Sequence, residues 1–194
     1  LSDPAAAVDG WVLGGGGGTM LLSNKGVQDE LKLDDAQKTK VTHLAEKARE
    51  KSRGALENLE GQERMARARE LNAENLKAAA EILKPEQVTR LKGIQYQVQG
   101  LAAFQDEEVQ KTLKLSDDQK SEIASIARES MEKSREAREG AQDDPASAMA
   151  KMRDIRKDAL AKAETKLTAE QKAEYAKLLG APFEFRFEGR GRNN

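Results

Sequence analysis

Leu33-Asp-Asp-Ala-Gln37, Leu83-Lys-Pro-Glu-Gln87, Leu115-Ser-Asp-Asp-Gln119 and Leu167-Thr-Ala-Glu-Gln171 are four copies of one phrase, Leu-x-x-x-Gln, and each reads as a helix start. In the third copy the Ser116 hydroxyl is placed to accept from the first helical turn. Gln119, three residues on, reaches back to the amide of the cap residue, completing the reciprocal capping box. Thr168 and Gln171 repeat that arrangement. Asp34 takes the cap position ahead of Gln37, and its charge also suits the positive end of the helix dipole. Lys84 is a poor cap, but Pro85 then falls at the first helical position, where its missing amide hydrogen costs nothing. The leucine before each cap is the last apolar anchor before the chain turns. Four helices are therefore expected to begin with a similar geometry.

The copies belong to a longer repeat. Val27-Gln-Asp-Glu-Leu-Lys-Leu-Asp-Asp-Ala-Gln-Lys38 lies 82 positions before Val109-Gln-Lys-Thr-Leu-Lys-Leu-Ser-Asp-Asp-Gln-Lys120, and eight of the twelve pairs are identical. The same offset sets Leu22 on Phe104, Leu44 on Ile126, and Lys51-Ser-Arg53 on Lys133-Ser-Arg135. Later the offset becomes 84, which sets Leu91 on Tyr175 and Ile94 on Leu178. The chain is expected to be a tandem of two related units, residues 20–100 and 101–180. A glycine-rich lead, residues 1–19, precedes them, and an extended tail, residues 181–194, follows.

Of the 194 residues 35% are charged and 38% apolar, which is too little grease for a thick globular core. The charges nearly cancel, at a net of −1, and are spread at helical spacing rather than in blocks. That combination favours long, thinly packed amphipathic helices over disorder. It also supplies no whole-protein field to draw in nucleic acid. There is no cysteine, so disulfides, zinc–thiolate sites and a cysteine nucleophile within the chain are excluded. No run approaches the ~20 apolar residues of a membrane span. Leu1 in place of methionine is read as a processed or trimmed start, at which no signal segment is legible.

In chain order, Trp11-Val-Leu13 is the one apolar group in the lead, either packing loosely on the body or docking on a partner. A short helix is expected over 24–32, then a long one from Asp35 to about Leu59 on Val41, Leu44, Ala45, Ala48, Ala55, Leu56 and Leu59. Gly61 reads as its stop. The return helix, about Gln62 to Leu83, is forced antiparallel by the short connection. A further helix runs from Pro85 to about Gln97, and Gly100 breaks it. The second unit repeats the plan, with a long helix over 117–139 on Ile123, Ile126, Ala127, Met131 and Ala137 and a last helix over 168–179. In the tail, Phe183-Glu-Phe185-Arg-Phe187 alternates strictly, so three phenylalanines share one face of an extended segment. It lies across its own helices or offers an edge to another chain.

Catalytic chemistry has little to stand on. His43 is the sole histidine, and no serine sits in a nucleophile-elbow context. Asp34-Asp35, Asp117-Asp118 and Asp143-Asp144 sit at helix starts, where negative charge is favourable without a metal. No cofactor, no metal site and no enzymatic activity are expected. The basic residues Lys51, Arg53, Lys133 and Arg135 are the expected binding surface, basic heads above an apolar floor on a concave face suited to flexible polypeptide. Trp11, Phe183, Phe185 and Phe187 are the expected docking residues if the protein is instead held in an assembly.

At Leu167-Thr-Ala-Glu-Gln-Lys172, Leu115-Ser-Asp-Asp-Gln-Lys120, Leu33-Asp-Asp-Ala-Gln-Lys38 and Leu83-Lys-Pro-Glu-Gln87 the chain resembles the LTxxQ family of periplasmic helical proteins, the Spy/CpxP-like proteins. Two such phrases about fifty residues apart, flanking a helical hairpin, match the family's layout across a protomer, and here the layout occurs twice. Family members pair as antiparallel dimers in a thin, curved, four-helix cradle. The resemblance implies an all-α protein of two tandem hairpin repeats forming an elongated, pseudo-symmetric cradle, as a monomeric pseudo-dimer or a homodimer. It further implies a periplasmic or envelope location and ATP-independent holding of unfolded polypeptide clients, or a role in envelope stress. An accessory subunit docked on an envelope partner, or a metal-responsive regulator, are the other roles the likeness leaves open.

Overall fold

The computed structural model describes residues 18–139 and 145–184. Trp11, Phe185, Phe187 and the Asp143-Asp144 pair lie outside the described residues. The fold is all-α, with no strand among the described residues. Contacts divide the chain into two compact units, which meet inside a helix between Gln95 and Tyr96; Phe183 is counted with the first.

The first unit contains α1 (Gly18–Leu21), α2 (Lys25–Glu30), α3 (Asp35–Leu56), α4 (Gly61–Ile82) and the larger part of α5 (Pro85–Gln99). α3 and α4 pack as a hairpin, and α1 lies against both. Its core is Leu21, Leu22, Val27, Leu31, Leu33, Val41, Leu71, Leu83, Leu91 and Ile94, all buried. Each such side chain closed off from water stabilises by about 1.5–3 kcal/mol.

The second unit continues through a 3-10 turn (Gly100–Gln105), α6 (Glu107–Thr112), α7 (Asp117–Glu139), α8 (Pro145–Glu164) and α9 (Ala169–Leu179). α7 and α8 form the hairpin, the 3-10 turn lies against both, and α9 meets α6. Tyr96, Phe104, Val109, Leu113, Leu115, Ile123, Leu167 and Tyr175 form its core. The Phe104 and Tyr175 rings stack tilted, with centroids 4.6 Å apart. Leu22 and Leu91, the corresponding residues of the first unit, are buried as well.

The apolar pattern runs the first long helix on to Leu59, but α3 ends at Leu56, with Glu57, still in right-handed helical conformation, as its C-cap. The Arg64 guanidinium donates to the Leu56 carbonyl at 2.6 Å and to Leu59 O at 3.5 Å, so a cation from the return helix ties down the last carbonyl of α3 and the turn that follows it. Gly61, at φ +53°, consequently opens α4 rather than closing α3.

Both short helices end in a Schellman turn. After α2, Lys32 N–H donates to Asp29 O at 3.0 Å and Leu33 N–H to Gln28 O at 3.1 Å. After α6, Lys114 N–H donates to Lys111 O at 3.2 Å and Leu115 N–H to Gln110 O at 3.1 Å. The left-handed residue in each turn is a lysine, Lys32 at φ 51° and Lys114 at φ 50°, where glycine is usual.

Candidate functional site

Each capping phrase does more than cap. In the first unit Gln37 Oε1 accepts from Asp34 N–H at 3.2 Å while Asp34 Oδ1 accepts from Gln37 N–H at 2.8 Å, which is the expected box. Gln87 Oε1 likewise accepts from Lys84 N–H at 2.8 Å. The amide groups that capping leaves over then find one another. Gln37 Nε2 donates to Gln87 Oε1 at 2.9 Å and to the Ile82 carbonyl at 3.0 Å; Gln87 Nε2 donates to Gln37 Oε1 at 3.3 Å and to the Leu31 carbonyl at 2.9 Å.

The second unit forms the same clasp. Gln119 Nε2 donates to Gln171 Oε1 at 2.7 Å and to Lys166 O at 2.8 Å, while Gln171 Nε2 donates to Gln119 Oε1 at 3.0 Å and to Leu113 O at 3.0 Å. Every donor and acceptor of both amides is used, which is what lets such polar groups sit at a packed base. Sequence reasoning found the cap and missed the clasp. The clue was glutamine at all four positions, because a carboxylate also accepts from a cap but has no hydrogen to donate.

The clasps hold the bases of the hairpins, and the distal arms are built differently. Among the described residues no side chain between Ala48 and Leu71 is buried; in the second unit α7 buries none from Arg128 to Glu139, whereas Ala148 and Met152 are buried on α8, Met152 beside Arg138. These stretches carry half-buried groups instead: Ala55, Leu56, Leu59 and Ala68 in the first unit, Ser130, Ser134 and Ala137 on α7 in the second; Leu76 on α4 and Met149 and Ile155 on α8 are half-buried beside buried neighbours. Met131 does not join the α7 stripe as expected; it is 63% exposed. The seam turns through Ser130 and Ser134, spaced by three and four from Ala127 and Ala137, and leaves Met131 on the shoulder of the helix.

All four expected binding residues are exposed, Lys51 and Arg53 on α3 and Lys133 and Arg135 on α7. Three of them already hold acidic partners. Lys51 Nζ reaches Glu74 on α4 at 2.5 Å, and this contact holds the Glu74 carboxyl below its usual pKa. Lys133 pairs with Glu129 at 2.7 Å, which raises the lysine's pKa; Glu129 is lowered by Lys133 first and then by Lys162, 3.0 Å away on α8. Arg135 pairs with Glu132 and, at 3.8 Å, with Glu139. Arg53 alone of the four has no ion pair among the described residues. The half-buried Phe183 ring lies beside Gly26, where an added Cβ would stand 3.9 Å from its Cζ.

A furrow of about 310 Å³ runs along the base of the second hairpin, lined by Ser121, Glu122, Ser125, Ile126, Lys162 and Lys166. A Lys166–Glu122 pair at 3.2 Å lies along it, and it stands open to solvent without the enclosure of a small-molecule pocket. His43 is exposed on α3, and among the described residues no three His, Asp or Glu side chains gather as a metal site. No described helix is long and apolar enough to cross a membrane. The chain matches no protein-family model, no curated protein and no solved structure.

Proposed function

We propose that this protein is a non-enzymatic, ATP-independent holder of unfolded or flexible polypeptide, of the Spy/CpxP-like kind and located in the periplasm or cell envelope. Its two clasped hairpins act as tandem copies of one unit, and a concave cradle built from them presents the client surface. The observation that carries this reading is the contrast between the closed hairpin bases and the half-covered apolar groups farther along, on the first hairpin between Ala48 and Leu71 and beside Ala148 and Met152 on α8 of the second. Leu56, Leu59 and Leu76 on the first hairpin, with Met149 and Ile155 on α8 of the second, are half-buried and offer apolar contact without a fixed pocket. Such a surface suits partners that share greasiness rather than shape. The four Leu-x-x-x-Gln phrases support the family reading.

Because Lys51, Lys133 and Arg135 are engaged within their own units, the apolar seams carry more of the affinity than the basic heads do, and Arg53 is the head left to meet an acidic client. Light scattering from a chemically denatured client, diluted with and without equimolar protein and without ATP, tests the reading. Suppressed aggregation that largely survives added salt is expected. Unchanged aggregation at low salt would remove the proposal.

A further inference from the structure

Met131 is the large apolar side chain that stands open to solvent among the described residues. It lies on the arm of the second unit, in a stripe of α7 that carries Arg128, Met131, Arg135 and Arg138 at spacings of three and four. Arg128 is one turn before it and Arg135 one turn after, and both are exposed. The other thioethers on this arm are guarded. Met152 is buried on α8, and its sulfur accepts from Arg138 Nη2 at 3.9 Å; Met149 is half-buried. One sulfur is thus open to an oxidant, on a helix face that it shares with Arg128 and Arg135.

We propose that Met131 is a site of oxidation, at which a peroxide or hypohalous acid converts the thioether to the sulfoxide and weakens the second unit's hold on apolar segments. The inference rests on the polypeptide-binding reading above. With a peroxide, the sulfur lone pair attacks one peroxide oxygen, the O–O bond breaks and an S–O bond forms. Hydrogen peroxide leaves as water after a proton shift, so sulfur loses two electrons and the peroxide gains them. The product carries a strong acceptor within a helical turn of Arg128 and Arg135, and a polar, stiffer group replaces a flexible apolar one. No buried contact has to break, since the side chain already points outward. In the first unit the corresponding residue, 82 positions earlier, is Arg49, so that arm has nothing to oxidise there. The response is graded rather than all-or-none.

Titrating the full chain with hydrogen peroxide and mapping its peptides by mass spectrometry tests the site. Met131, 63% exposed, is expected to oxidise ahead of Met152, 5% exposed. Holding of a denatured client, expressed as the ratio after to before oxidant, should fall for the wild type and change less for Met131→Leu. Met131→Gln, a stand-in for the sulfoxide, should lower holding with no oxidant added. Oxidation of Met149 or Met152 ahead of Met131 overturns the proposal, as does an equal loss of holding in wild type and Met131→Leu, or no loss in either. An unoxidised wild type that holds no client overturns the polypeptide-binding reading instead, while the order of oxidation still reports on the site.

Discussion

Gln37 and Gln87, fifty residues apart in the chain, hold each other by both halves of their side-chain amides, with 2.9 Å in one direction and 3.3 Å in the other. The pair joins the first turn of α3 to the first turn of α5, and through the Leu31 and Ile82 carbonyls it also fixes the ends of α2 and α4. Four segment ends are thereby tied at one buried point.

Gln37→Glu should separate the clasp from the cap, because a carboxylate keeps the acceptor for Asp34 N–H but cannot donate to Ile82 O or Gln87 Oε1. A loss of ~2 kcal/mol or more is expected from leaving these acceptors unpaired beside a buried charge. Gln119→Glu should cost less, since Gln119 is only half-buried where Gln37 is buried. Urea denaturation of both variants reads the difference; wild-type midpoints for both would show that capping alone matters.

Lys32→Gly and Lys114→Gly should each stabilise the protein. Both lysines occupy the left-handed region at φ near 50°, which costs an L-residue about 1 kcal/mol relative to glycine. The gain is expected to be at most ~1 kcal/mol per site, because glycine also frees the unfolded chain. A lowered melting temperature in either variant would mean that the lysine side chain itself contributes.

Hydrogen exchange should divide each hairpin into two parts. Amides around Val41, Leu91 and Ile123 lie in closed cores and should exchange only by the largest openings, whereas those at 52–68 and 130–138 lie on stretches whose own described side chains are none of them buried and should exchange by local fraying. Uniform protection along α3 and α7 would contradict a thin arm.

The alkaline limit should be set by the second unit. Both tyrosines, Tyr96 and Tyr175, are buried there; burial chiefly raises their phenol pKa values, helped by Asp106 and Glu108 at Tyr96 and by Glu164 at Tyr175. A folded pKa raised above the unfolded value gives stability that is complete below about pH 10 and lost as pH rises through the folded value. Tyrosinate absorbance should therefore appear together with loss of helix. Ordinary titration near pH 10 with the helix signal intact would contradict the burial. At the acid end Glu74 and Glu129 act with the opposite sign. Their lowered pKa values give stability that is present above the ordinary carboxylate range and lost as pH falls through the folded value.

Much of the helical scaffold was legible before any coordinates. Ser116, Thr168, Asp34 and Pro85 mark their helix starts because a cap is settled within four residues, and the stripe from Val41 to Ala48 marks its face because helical period is a local property. The candidate surface was legible only in part. Lys51, Arg53, Lys133 and Arg135 are exposed as expected, but the glutamate that occupies Lys51 comes from another helix, 23 residues on.

The sequence by itself determined the all-α class, the helix starts and the antiparallel hairpins, because each follows from bonds and spacings that span a turn or two. Only the tertiary structure decided that the capping glutamines clasp in pairs, that the lysines spend their charge at home, that the arms stay half-open and that Met131 faces water. Those outcomes depend on which groups distant segments bring within about 3 Å of one another, and on whether the position facing the partner helix falls on Ser130 or on the methionine beside it.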